Sequence, residues 1–331
     1  MGDVALTVPV LKNFKRKYPE IHITMLTRPF FHPFFDGIEG LHLPETALKN
    51  RHKGMWGIRR LYKELSEANK YDAVLDLHDV LRSRWLAFLF SLRGVPVFRI
   101  GKERKAKKEF LKDVSSGALP HTIMRYRKVF ADAGYLFPLE KELITPAGEM
   151  LPQEISLSDV NIGIAPFAAH KSKEWGVEHT AGLIEKIHKL NAKTHIFLFG
   201  GGAEESAQLE KVASNDPRVT NIAGKYDIRT ELRLMQHLNV MIGMDSGNTH
   251  LAALSGIPVI SIWGGTHPGT GFAPLYQPEE NLVLPAGEDW KDSGLSVYGT
   301  DKPQIPETPY YHIRTIPPDR IIDRLLEMGI W

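Results

Sequence analysis

The pattern of apolar and polar positions switches repeatedly between two forms along this chain. Short unbroken apolar runs read as buried strands, and stretches with apolar residues at helical spacing read as helices. Leu6 to Lys17 reads as a helix ended by Tyr18-Pro19, and His22 to Leu26 as a strand. A helix around Ile58 to Ala68 leads to a strand Ala73 to Leu77, and a helix Arg84 to Leu92 to a strand Val95 to Ile100. A helix from Thr122 to Ala133 ends at Gly134. Residues 136–160 carry several prolines and no sustained period, which marks a linker. Beyond it the alternation restarts with strand Asn161 to Ala165, helix His179 to Leu190, strand His195 to Phe199 and helix Ala203 to Ala213. A helix Arg229 to His237 precedes the strand Asn239 to Gly243, and Val259 to Trp263 is the last clear buried strand. Residues 264–315 read as irregular surface chain, and Pro318 to Met328 as a closing amphipathic helix.

Such alternation predicts an α/β fold with parallel sheets. A chain of 331 residues exceeds one ordinary core. The expected organisation is therefore two Rossmann-like domains, 1–150 and 151–331, facing each other across a cleft, with the helix 318–328 a candidate for packing back on the first. Ligands of such sheets sit at the carboxyl ends of the strands, where the polar turns of this sequence fall. The absence of cysteine excludes disulfides, a thiolate nucleophile and cysteine-held metal, and no other metal-ligand spacing occurs, so neither a metal nor a cofactor is expected. A net charge of +2 gives no reason to expect nucleic acid as partner. No apolar run has the length to cross a bilayer and the start lacks a signal peptide's pattern, so a cytoplasmic protein is expected.

The turn with most chemical content lies in "MIGMDSGNTHLAALSGIPVISIWG", residues 241–264. Asp245, Ser246, Gly247, Asn248, Thr249 and His250 join an apolar strand to an apolar helix that stops at Gly256. A turn of this kind points free amide N–H groups, at the positive end of a helix dipole, toward an anion. An ordinary turn in which Asp245 or Ser246 merely caps the helix fits equally well. Lys171 and Lys173 fall between a strand end and a helix, where an ammonium reaches a phosphate or simply meets solvent. "FGGGAEES", residues 199–206, is a glycine-rich strand-to-helix turn that is neither GxGxxG nor a Walker loop; Glu204 and Glu205 there favour the helix dipole. Asp3 reads as a helix cap or a general base, Trp175 as core, and His250 as the one histidine placed for function. The basic tract 99–112, "RIGKERKAKKEFLK", suits a solvated face, an anionic substrate or an anionic membrane surface.

Taken in order, three segments resemble glycosyltransferase family nine, the lipopolysaccharide heptosyltransferases: "GDVALTVPVLKNFKRKYP", "IGIAPFAAHKSKEWGVEH" and "MIGMDSGNTHLAALSGIPVISIWGGTHP". The third is specific; the first two gain weight from their order. The resemblance implies a GT-B fold and inverting transfer of a heptose-like sugar from a nucleotide diphosphate, with ADP-heptose favoured, to a lipid-linked inner-core acceptor. It implies Asp3 as the base that deprotonates the acceptor hydroxyl, Lys173 as a contact to the donor phosphates and Glu204 as a contact to the nucleoside. It further implies that Ser246, Gly247, Asn248 and His250 hold the diphosphate while Asp245 keeps their loop in shape. Base and diphosphate loop would then come from different domains, joined by closure of the cleft. An anionic lipid-linked glycan and peripheral contact with the inner membrane surface follow as expected partners.

Two departures stand out. Family members carry an apolar strand before Gly-Asp, whereas Met1 directly precedes Gly2 here, so Met1 is expected to be an internal methionine of a longer natural protein. Ala168-Ala169 stand where the family often places hydroxyl residues that face the phosphates. A GT-B-type nucleotide-sugar epimerase and a non-catalytic nucleotide-sugar-binding protein are the competing readings.

Overall fold

The computed structural model describes residues 1–148, 150–214, 216–286, 295–302 and 311–331. The chain forms two compact units: a larger one of Met1–Ala5, Lys105–Leu119 and Leu143–Trp331, and a smaller one of Leu6–Arg104 and Pro120–Glu142. These bounds differ from a simple division at residue 150, because the first five residues and a central segment join the larger unit.

The helix expected from Leu6 to Lys17 is present as α2 (Thr7–Lys17) in the smaller unit, and a short helix that the pattern does not predict, α1 (Gly2–Ala5), precedes it in the larger one. The smaller unit continues with β1 (Ile23–Thr24), β2 (Leu41–His42), α3 (Gly54–Ala68), β3 (Val74–Asp76), α4 (Leu81–Ser91) and β4 (Val97–Arg99). Helix α5 (Arg104–Phe110) carries the chain into the larger unit, and α6 (Thr122–Asp132) returns to the smaller one. Its described strands form two parallel pairs, β1 with β2 and β3 with β4, rather than one continuous sheet. Pairs this short leave most of the apolar burial to helices. Ile58, Leu61 and Leu65 of α3 pack against Leu86 and Phe90 of α4. Phe14 of α2 meets Phe130 of α6 at 4.8 Å between ring centroids.

The larger unit then runs through β5 (Val160–Ala165), α7 (Val177–Leu190), β6 (Thr194–Leu198), α8 (Gly202–Ala213), β7 (Val219–Asn221), α9 (Ile228–Met235) and β8 (Val240–Met244). It closes with α10 (Gly247–Leu254), β9 (Val259–Ile262), β10 (Leu282–Val283) and α11 (Pro318–Glu327). Six parallel strands line up as β10-β9-β8-β5-β6-β7. Every residue of β5, β8 and β9 is buried, which is why these strands read as largely apolar runs, broken by Asn161 and Ser261. The interval 264–315 is not wholly irregular: β10 pairs in parallel with β9, and 303–310 and 287–294 within it lie outside the described residues. β7 and β10, of three and two residues, are too short to leave a period in the sequence.

Helix α11 turns Ile321, Ile322 and Leu325 into the core of the larger unit, and Lys186 of α7 pairs with its Asp319 at 2.8 Å. Trp175, expected in the core, is fully buried and donates from Nε1 to the Ile316 carbonyl at 2.8 Å. The expected linker 136–160 crosses the boundary between Glu142 and Leu143, and the Ile144 amide already bonds to the Leu254 carbonyl beyond it.

Candidate functional site

In the six-stranded sheet the chain builds outward from β5 through β6 to β7, then reverses and builds through β8 to β9 and β10. The order therefore reverses between β5 and β8, and the carboxyl ends of these two strands are where a parallel sheet of this kind receives its ligand. Lys173 follows β5 and Asp245 follows β8. Lys173 Nζ lies 2.9 Å from Asp245 Oδ2, with both side chains mostly buried. The Thr266 hydroxyl, just past β9, donates to the same carboxylate oxygen at 2.8 Å. Asp245 thus aims the ammonium rather than capping a helix.

Ser246 occupies the N-cap of α10 in extended conformation (φ −143°, ψ 170°) and makes no side-chain cap hydrogen bond. Its hydroxyl faces that of Thr249 at 3.3 Å, and Thr249 Oγ1 donates to the Met244 carbonyl. The opening amides of α10, at Gly247 and Asn248, lie beyond the reach of intrahelical acceptors, and no side chain at Ser246 satisfies them. Of the two sequence readings of this turn, the capped one is not what the chain adopts. A Cβ on Gly243 would stand 2.5 Å from Thr249 Oγ1, so this close strand-to-helix turn needs glycine at its start.

His250 is buried, with its ring 4.5 Å from that of Phe272 in an edge-on arrangement. A Cβ on Gly2 would come within 2.7 Å of His250 Cδ2, and one on Gly247 within 2.5 Å of Met1 Cε. The two glycines let α1 lie against α10, so Asp3 is carried in the same compact unit as the Ser246 turn, not in the other. The Asp3 side chain is exposed.

Around Lys173 the β5 turn is clasped by later chain. Ser172 is fully buried; its amide bonds to the Thr300 carbonyl at 2.9 Å and its hydroxyl accepts from the Thr300 amide at 2.8 Å. A Cβ on Gly265 would meet Ser172 Oγ at 2.3 Å, and one on Gly299 would meet Lys173 Cδ at 2.8 Å. Ala168 packs on the core and Ala169 is exposed. The hydroxyl in this turn, that of Ser172, is committed to Thr300.

Glu204 is exposed in the first turn of α8 and attracts Lys171, whose pKa is raised chiefly by its hydrogen bond to Glu174. Glu205 accepts from the Gly201 amide at 2.7 Å, while burial pushes its carboxyl upward. Lys171, Glu174, Glu204 and Glu205 therefore form one charged group beside the Lys173 turn.

Of the expected residues, the structure brings Lys173, Asp245, Ser246, Gly247 and Asn248 to the β5 and β8 strand ends, with Glu204 at the neighbouring β6 end and His250 one helical turn inward. Sequence reasoning missed Thr266; a threonine directly after the Gly264-Gly265 pair that closes the β9 strand was the available signal. It also missed the matching turn of the smaller unit. There Asp76 accepts from the amides of His78 and Asp79 and from Ser83 Oγ, while Asp79, at φ 49°, takes Arg84 in a two-pronged pair at 2.6 and 3.0 Å. Arg84 holds the Asp79 carboxyl below its usual range. Its charges satisfy one another, so this turn is a shaped support. No group of His, Asp and Glu able to hold a metal occurs among the described residues, and no helix among them is long and apolar enough to cross a membrane.

A family model described as glycosyltransferase family 9 (heptosyltransferase) matches residues 58–292. The lipopolysaccharide core heptosyltransferase OpsX of Haemophilus influenzae is 25% identical over 283 residues, covering 81% of this chain and 77% of that protein. Among solved structures, a family 9 glycosyl transferase from Veillonella parvula superposes with a TM-score of 0.71 at 19% identity over 100% of this chain and 94% of its own. The E. coli heptosyltransferase WaaC with ADP gives 0.69 at 19% identity over 99% and 96%.

Proposed function

The chain belongs to glycosyltransferase family 9, the heptosyltransferase family, and on that premise we propose that it moves a heptose-like sugar from ADP-heptose to the inner core of lipopolysaccharide with inversion. The acceptor hydroxyl oxygen attacks the anomeric carbon, the bond from that carbon to the diphosphate oxygen breaks, and ADP departs. The Asp3 carboxylate takes the proton that the acceptor loses. The amides of Gly247 and Asn248, the dipole of α10 and the Lys173 ammonium receive the charge that builds on the diphosphate. His250 supports the turn from beneath, and Glu204 reaches the nucleoside.

The observation that carries this reading is the Lys173–Asp245 pair beside an uncapped helix start at the reversal point of the sheet. Lys173 is held on one side by Asp245, which leaves its other N–H directions for a phosphate. The acceptor is an anionic lipid-linked glycan, so the protein works at the cytoplasmic face of the inner membrane in peripheral contact with it.

The test supplies ADP-heptose with and without deacylated lipopolysaccharide core and follows ADP release. Release that requires the acceptor, vanishes in Asp3→Ala and leaves ADP binding intact supports transfer. Release without acceptor, or interconversion of the sugar, rejects it.

A further inference from the structure

The basic tract at 99–112 has cations but hides its aromatic anchor. Phe110 is 3% exposed, packed edge-on against His267 at 5.2 Å and over Gly269, where a Cβ would come within 2.4 Å of its ring. The Leu119 amide bonds to the Gly269 carbonyl at 2.8 Å and closes the segment down. Charge alone, without an apolar group to insert, gives a weak hold on a lipid surface.

The paired helices α3 and α4 of the smaller unit offer both ingredients. Trp56 is 79% exposed and Met55 64%, although tryptophan is ordinarily among the well-covered side chains. Trp85 of α4 donates from Nε1 to the Met55 carbonyl at 3.2 Å and stacks on Phe88 at 5.5 Å, and Phe88 is itself 47% exposed. These contacts bring the Trp85 and Phe88 rings to the Met55 backbone at the start of α3, with Trp56 the next residue along the chain. Arg59 lies over the Trp56 ring at 5.8 Å, and Lys53 and Arg60 are exposed beside it. Among the described residues none of these three cations has an acidic partner. A patch of aromatic and thioether side chains fringed by unneutralised cations matches the headgroup zone of an anionic bilayer, where tryptophan rings settle and basic side chains meet lipid phosphates.

We propose that this face of α3 and α4 docks on an anionic phospholipid surface, with Trp56 and Met55 entering the headgroup region and Lys53, Arg59 and Arg60 pairing with the phosphates. The choice of occupant rests on the proposed use of a lipid-anchored acceptor, not on the chemistry of transfer.

The test is co-sedimentation of the full chain with vesicles of phosphatidylglycerol and phosphatidylethanolamine, against vesicles of phosphatidylcholine alone. Binding to the first, weakened by salt and absent with the second, is expected. The double substitution Met55→Gln, Trp56→Gln should lower the partition coefficient about tenfold, and Arg59→Gln about fivefold. Trp56→Phe should recover part of the loss, and an unchanged circular dichroism melt confirms that the variants are folded. Equal binding by the double variant, or none by the parent protein, overturns the proposal. So does normal vesicle binding by Arg59→Gln with a raised KM for water-soluble deacylated acceptor, which gives the face to the glycan. Loss of acceptor-dependent ADP release in solution, with vesicle binding intact, strikes the transferase reading alone.

Discussion

The Lys173 ammonium and the Asp245 carboxylate stand 2.9 Å apart, bridging the turns that follow the two central strands of the larger unit. Each depends on the other, since both side chains are largely withdrawn from water. Removing one partner of such a pair costs about 3 kcal/mol through the charge left behind. Asp245→Ala should lower stability by that order in denaturant unfolding, and Lys173→Ala less, because Thr266 still serves the carboxylate. Lys173→Ala should in addition weaken ADP binding by about tenfold or more, as a charge-assisted contact to phosphate is lost. Titration calorimetry that returned the parent affinity would remove Lys173 from the donor site.

Gly243→Ala places a methyl carbon against Thr249 Oγ1 and, through it, disturbs the bond that ties α10 to Met244. Overpacking of this kind costs about 1–3 kcal/mol. Thermal unfolding should show the loss, and ADP affinity should fall with it. Gly201, exposed at the N-cap of α8, meets no atom at its Cβ position, so Gly201→Ala should cost less in unfolding than Gly243→Ala.

Asp3→Asn keeps the shape of the side chain and abolishes its basicity. Turnover of ADP-heptose with acceptor should fall by roughly a hundredfold to ten-thousandfold, the usual share of a general base. ADP affinity should hold, since the amides and Lys173 are untouched. A variant that loses donor binding and turnover together would mark Asp3 as structural.

Glu231, in the first turn of α9, is pushed up to about 8, first by burial and then by Asp227. A carboxyl whose folded pKa lies above its unfolded value binds its proton more tightly when folded. Its contribution is therefore complete at pH below 4.5 and is lost as pH climbs toward about 8. Glu231→Gln should raise the melting temperature at pH 8 and have little effect at pH 4. A parallel pH dependence in variant and parent would show that folding leaves the Glu231 pKa unshifted.

Strands β5, β8 and β9 were legible because both faces are covered and apolar residues dominate them, with Asn161 and Ser261 the polar interruptions. β10 was not, since two residues carry no period and its place depends on pairing with β9. The Asp245 turn announced itself as polar chain between apolar elements, yet its orientation did not: Thr266 and Lys173 lie far away in sequence. His250 read as a ligand because it is polar and sits in that turn. Its burial follows from Gly2 and Phe272, which spacing cannot bring together. Asp79 escaped notice for the opposite reason. Its left-handed backbone and its pair with Arg84 turn an unremarkable "LHDVLRS" into a rigid corner.

The turn that bears Lys173 is fixed by residues made later: Asp245, Gly265 and the Thr300 amide and carbonyl. As the ribosome releases the chain, Asp245 and Gly265 emerge before β10 completes the sheet, whereas Thr300 follows it. A nascent chain stopped at residue 295 would then carry the formed sheet and the Lys173–Asp245 pair but lack the Thr300 clasp on Ser172, leaving the turn that bears the lysine less firmly held.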